Sequence, residues 1–288
     1  MTNVDNQKPS SDAVYEHSSE LLSFRDFFNA EESDLTPFAE AIQRSPYHKV
    51  NIAIHPYFLE EDRFVTKPGV KQYNKMRGKY VFEAAQAGNP IIIFEECTVM
   101  DDTNDFMSKY GNIHSLPNVM FVKTMEADPT PYTAESKRVS DMYEKLANRL
   151  PYYKPWNQEE CNDLKLVADE FNLTMPYLPI EEKLSFDQYI DIRKLFTKAD
   201  LILSHRAFDK LGQRLLDLKV ERVSLGGTKY EPIAHAIDVQ KGCVSFTAVE
   251  LHRLGFRVNI SNYFVYPNKP SRQVQATYRK LATPIAST

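Results

Sequence analysis

The chain has 288 residues, 42% of them hydrophobic, and 35 Lys and Arg stand against 39 Asp and Glu for a formal net charge of -4. That apolar fraction excludes global disorder, and mild acidity without a long basic block leaves no charge footprint for nucleic acid. No apolar run reaches the roughly 18 residues of a membrane span, so neither nucleic acid nor membrane is an expected partner.

The polar start MTNVDNQKPSSDAVYEHSSE has no apolar signal core. The three cysteines, Cys97, Cys161 and Cys243, are too scattered for a disulfide framework or a metal knuckle. Together these lead to the expectation of a reducing, cytoplasmic setting. Residues 1–18, poor in apolar side chains, are expected to form a disordered tail. Residues 19–288 are expected to form a single α/β domain with a helical, Pro- and aromatic-rich insertion over about 127–184.

Leu21, Leu22, Phe24, Phe27 and Phe28 make one apolar helix face, and a second short helix is predicted over Thr36 to Gln43, with Pro37 in its tolerant first turn. Val50 to Ile54 is the first strand. It stops at His55-Pro56-Tyr57, because a proline drives the residue before it out of helical geometry. A polar loop, Phe58 to Pro68, leads to a helix through Tyr73, Met76, Tyr80, Val81 and Ala84 that ends at Gly88-Asn89-Pro90. Ile91 to Phe94 is continuously apolar, as in a strand covered on both faces, and Glu95, Glu96 and Cys97 follow it. A helix over Asp101 to Tyr110, closed by Gly111, and a strand over Val119 to Val122 complete a β-α-β-α-β order. Right-handed crossovers set such strands side by side.

The segments ADPTPY and LPYYKPW mark the insertion, with helices predicted over Thr133 to Leu150 and Asn157 to Asn172. Its aromatics Tyr152, Tyr153 and Trp156 either line a pocket or pin the insertion down, the second being the commoner fate of buried rings. The sheet then resumes: a helix over Phe186 to Thr197, a strand at Leu201 to Leu203, and a helix through Phe208, Leu211, Leu215, Leu216 and Leu218. A strand at Val220, Val223 and Leu225 ends at Gly226-Gly227, a helix begins at Cys243, and a strand runs from Phe256 to Ile260. One or two further helical turns are expected over Gln275 to Leu281. This wiring predicts a three-layer α/β sandwich on a mostly parallel, Rossmann-like sheet, in which ligands gather where strands end and helices begin.

Cys243 sits at such a helix start. Unpaired N–H groups and the helix dipole stabilise a thiolate there, and the same N–H groups can stabilise an oxyanion on a carbonyl under attack. The bland reading is a small buried apolar residue, common for free cysteine. His55 and His205, each at a predicted strand end, are candidate bases for Cys243, since a Cys–His pair is an established activation device. Tyr57, Glu95, Gly226 and Gly227, at the same kind of position, are the candidate substrate contacts.

Gly242-Cys243-Val244 with Thr247-Ala248, then a helix and Gly255-Phe256-x-Val258, resembles the nucleophile segment of the isochorismatase-like cysteine hydrolases. Ala207-Phe208, the Leu-rich helix, the strand ending in Gly226-Gly227 and the early GNPIIIF segment are similar to that family too. The resemblance implies an isochorismatase-like sandwich and a nucleophilic cysteine. It also implies an Asp at the end of the first strand, a Lys before the Ala-Phe helix, and hydrolysis of amides or related bonds. Family members are frequently oligomeric, which makes a homo-oligomer an expectation. Here His55 stands where the Asp belongs, Ser204 or His205 near where the Lys belongs, and the loop from Gly227 to Cys243 is longer.

The expected function is therefore a divergent hydrolase acting on a small amide- or ester-like substrate. The alternative is a non-catalytic, ligand- or protein-binding descendant of the same scaffold, and a third class is an interaction module built on the aromatic insertion. No cofactor is expected: Leu225-Gly226-Gly227-Thr228 lacks the spacing of a phosphate-binding loop. His55, His205, His235, Glu95, Glu96 and Cys243 are suitable metal-ligand types but show no HxxxH or HExxH spacing, so no metal is expected either. Asp101-Asp102 and Glu60-Glu61-Asp62 read as solvated loop or helix-start carboxylates.

Overall fold

Val50, Ile52 and Ile54 alternate with Asn51 and Ala53, and the strand they form, β1 (Lys49–Ile54), is buried along most of its length. It lies at the middle of a parallel sheet. A computed structural model describes residues 24–59, 67–125, 129–147, 155–180, 182–228 and 242–266 of the chain. Among these, the sheet holds β2 (Ile91–Glu96), β3 (Val119–Thr124), β4 (Arg222–Gly227) and β5 (Arg257–Val265) in the order β3-β2-β1-β4-β5. All four pairings are parallel. The strand direction of travel across the sheet reverses at β1, the switch point at which doubly wound sheets leave a crevice beyond the strand ends.

Both faces are covered, as parallel sheets require. One face gathers Ala53, Ile91, Ile93, Val119 and Phe121 with residues from the helices that follow β1 and β2. Those helices are α2 (Lys67–Arg77), a π-helical stretch (Gly78–Glu83), α3 (Ala84–Gln86), α4 (Cys97–Asp101) and α5 (Thr103–Tyr110). The strand residues that alternate with that set, Ile52, Ile54, Ile92, Phe94, Met120 and Val122, are at most 1% exposed. A parallel sheet flanked by helices in this way is the three-layer α/β sandwich the wiring predicts.

The elements preceding the sheet partly differ from expectation. Thr36 to Gln43 lies inside a helix, α1 (Glu32–Arg44). Phe24 to Phe28 is not helical: Asp26 forms a parallel bridge with Phe121, and Phe27 N–H donates to the Phe121 carbonyl at 2.7 Å. An open β3 edge offers unpaired backbone groups that this segment satisfies, which outweighs a short helical pattern. Asp102 splits the expected helix over Asp101 to Tyr110 by capping α5, its carboxylate accepting from the Asn104 and Asp105 N–H groups.

Two compact units divide the chain: residues 1–127 with 218–288, and residues 128–217. The second is helical, with α6 (Ala134–Ala147), α7 (Gln158–Glu170) and α8 (Phe186–Asp217). Trp156 is buried in its apolar cluster beside Leu164, Phe171 and Phe196, in keeping with a pinning role. The strand expected at Leu201 to Leu203 does not exist; it is the middle of the 32-residue helix α8. No Gly or Pro interrupts residues 186–211, and buried Ile192, Phe196, Ala199, Leu203, Ala207 and Leu211 recur three to four residues apart, which sustains a helix through a locally strand-like triplet. Tyr152, Tyr153, Gln275 to Leu281 and the tail over 1–18 lie outside the described residues.

Candidate functional site

His55 is the first residue beyond β1 and is 2% exposed. Its φ is 40°, in the left-handed region that non-glycine residues seldom occupy. Bonds from three directions hold it there. Its N–H donates to the Phe94 carbonyl at 2.8 Å, and its carbonyl accepts from Tyr57 N–H at 2.7 Å, closing a three-residue turn over Pro56. The same carbonyl accepts from the Thr228 hydroxyl at 2.7 Å. The ring Nε2 lies 3.0 Å from Thr124 Oγ1, and the ring stacks on Tyr57 with centroids 5.8 Å apart.

β2 runs two residues further than expected, so Glu95 and Glu96 belong to the strand. Glu95 is 0% exposed. It accepts from Glu96 N–H at 3.0 Å and from the Tyr110 hydroxyl. Burial drives its carboxyl above the usual carboxylate range; the Tyr110 bond and the nearby Lys109 charge only partly offset that. Two more phenols surround this carboxylate. Tyr73 is pushed up by burial and by the Glu95 charge, against the opposing pull of Arg77. Tyr57 is pushed up by burial, by Glu96 beside its hydroxyl, and by the charges of Glu95, Glu96 and Cys243. The buried hydroxyls of Tyr57 and Tyr73 make no hydrogen bond of regular geometry; burial and the neighbouring carboxylates favour the neutral form of both phenols. The Lys109 ammonium sits 4.8 Å from the Tyr57 ring centre, and Arg77 Nη2 donates to the Lys109 carbonyl at 3.1 Å.

Cys243 opens α9 (Cys243–Arg253), with Gly242 as an extended N-cap that supplies no side-chain cap. The first N–H groups of a helix have no acceptor within it. Cys243 is 8% exposed, and its carbonyl accepts from the Thr247 hydroxyl at 2.9 Å. A charge on its sulfur would add to the upward push on the Tyr57 phenol, whose ring stacks on His55.

Gly226 and Gly227 have a packing reason to be glycine. A Cβ on Gly227, at φ 123°, would sit 1.8 Å from the Ile54 carbonyl oxygen, and one on Gly226 would meet the Phe264 ring at 2.3 Å. Thr228 N–H then donates to that Ile54 carbonyl at 2.9 Å. His205 is not at a strand end: it lies in the interior of α8, half-buried, in the second unit. His235 lies outside the described residues. Among the described residues no three His, Cys, Asp or Glu side chains come together to hold a metal ion.

Neither Tyr110 nor Thr124 is singled out by the sequence. Thr124 carried one signal, a small polar residue closing an apolar strand; Tyr110, at the end of its helix, carried none.

No protein-family model matches the chain, and no curated protein sequence matches it significantly. Among solved structures, the crystal structure of a nicotinamidase from Staphylococcus aureus aligns over 83% of this chain and 99% of its own, at 12% identity and a TM-score of 0.40. No helix among the described residues is long and apolar enough to cross a membrane.

Proposed function

We propose that the chain is a cysteine-dependent hydrolase of a small amide- or ester-like substrate, with Cys243 as nucleophile and His55 as its base. One observation carries this reading: Cys243 is the first residue of α9, a position that favours a thiolate; a charge there would raise the Tyr57 phenol, and Tyr57 is stacked on His55. In this reading thiol, phenol and imidazole work together at the switch-point end of the sheet.

The chemistry follows from those groups. The imidazole takes the thiol proton, and the thiolate adds to the substrate carbonyl carbon. The oxyanion draws on the N–H groups at the start of α9. The intermediate collapses to a thioester as the leaving amine or alcohol takes the proton back from the imidazolium. Water then adds, giving its proton to the imidazole, and the carboxylic acid leaves with the thiol restored. Tyr57 and Glu95 are the proposed substrate contacts, while Gly227 acts by keeping β4 close against β1 and Gly226 by making room for Phe264 of β5.

Incubation with a panel of small amides and esters, followed by mass spectrometry of the intact protein, tests this. An acyl adduct on Cys243, absent in Cys243→Ser, is expected. An alkylating reagent that labels Cys243 no faster than Cys97 or Cys161 in the folded protein overturns the reading.

The second reading, a non-catalytic ligand-binding descendant, is favoured by the 8% exposure of Cys243. It predicts ligand-dependent thermal stabilisation that Cys243→Ser leaves intact, with no adduct.

A further inference from the structure

Thr124 closes β3 with 0% exposure, and its hydroxyl has two partners but one hydrogen. The Glu95 carbonyl oxygen, 3.0 Å away, can only accept, so the hydroxyl hydrogen belongs to that contact. The other contact, 3.0 Å to His55 Nε2, then has the hydroxyl oxygen as acceptor and requires a hydrogen on Nε2. A neutral imidazole carries one N–H, which leaves Nδ1 as its basic nitrogen. Rotating the ring is opposed by its stack on Tyr57 and by a backbone held through Phe94 and Thr228.

We propose that Thr124 is a positioning residue: it selects the Nε2–H tautomer of the neutral His55 ring, and in the hydrolase reading Nδ1 is then the nitrogen that serves as base for Cys243. The tautomer follows from the hydrogen count at Thr124; its use as a base rests on the hydrolase reading above. A ring nitrogen's role is set by the bond its partner nitrogen makes, and a wrongly set tautomer disables a catalytic histidine even when its position is kept.

Long-range proton–nitrogen NMR of histidine-labelled full-length protein at about pH 8, above the ordinary imidazole range, reads the tautomer directly, with the His55 signals assigned by their loss in His55→Gln. The expected result is an Nε2–H pattern in the wild type, a shift toward the Nδ1–H form in Thr124→Val, and restoration in Thr124→Ser. An Nδ1–H pattern in the wild type, or an unchanged tautomer in a folded Thr124→Val, overturns the proposal. In turnover, Thr124→Val is expected to lower kcat about 10²-fold or more with KM little changed, and Thr124→Ser to recover most of it. If the tautomer behaves as expected but the wild type forms no Cys243 adduct, the assignment of the ring stands and the catalytic use of Nδ1 falls with the hydrolase reading.

Discussion

The end of β1 and the middle of α8 are written almost alike. Ile52-Ala53-Ile54-His55-Pro56 and Leu201-Ile202-Leu203-Ser204-His205 each place a histidine after an apolar triplet. One stops as a strand with its histidine buried and bonded on ring and backbone; the other runs on as helix with its histidine half-buried on one turn of thirty-two residues. Pro56 bars helical continuation on one side, while an uninterrupted helical spacing of buried residues recruits the other. A triplet does not choose its own structure; the residues ten positions to either side do. For function, only a chain that stops can aim a side chain off the rim of a sheet.

The sharpest way to break the first of these regions is from its neighbour. Gly227→Ala places a Cβ 1.8 Å from the Ile54 carbonyl oxygen at a φ of 123°, and the atoms it meets are the backbone of a central strand, which cannot swing aside as a side chain could. We expect a loss of about 4 kcal/mol or more, read as a lower midpoint in denaturant unfolding. The second region breaks with the residue the first one owns. Ser204→Pro removes an N–H inside α8 and sets a ring against the preceding turn, at about 3 kcal/mol, and also removes the Ser204 hydroxyl that lies 2.8 Å from the Thr130 hydroxyl. A loss of helical circular dichroism together with a lower melting temperature is the expected signature.

How far each region was legible follows from the same contrast. The sheet was readable wherever strands are continuous apolar runs bounded by Gly or Pro: β1, β2, β3 and β4 all begin within a few residues of their expected starts. Cys243 was readable because a glycine before an amphipathic run marks a helix start. The triplet at Leu201 was not, since its helical neighbours share it. Nor was the carboxylate cluster: Glu95 beside Glu96 looks like two surface charges after a strand, and only the closeness of β2, β3 and α5 turns one of them inward onto Tyr110.

That inward turn has a pH signature. Glu95 is raised above its ordinary value by burial, so the folded state holds its proton to higher pH than the unfolded chain does. Its contribution to stability is whole below the ordinary carboxylate range and declines as pH rises from there through the raised value, at no more than about 1.4 kcal/mol per pH unit. Glu95→Gln cannot ionise. The difference in unfolding free energy between wild type and variant should therefore shift in the variant's favour as pH rises across that window, and a flat difference would mean that Glu95 titrates as it does in water.

The smallest expected effect separates two causes at the end of β1. Pro56 stops the strand on the page, but His55 is also held at its φ of 40° by bonds that do not involve the proline ring: its N–H to Phe94, its carbonyl to Thr228, its Nε2 to Thr124. If those bonds set the geometry, Pro56→Ala only frees the unfolded chain and trims some buried ring surface, at about 1–2 kcal/mol. The His55 tautomer and the alkylation rate of Cys243 should then match the wild type. If instead the proline sets the geometry, the same variant lets residues 54–57 relax and the His55 signals change along with the modest loss of stability. The two outcomes differ in spectrum rather than in free energy, so a variant with so small a thermodynamic effect can still decide whether the turn is made by its own sequence or by the threonines around it.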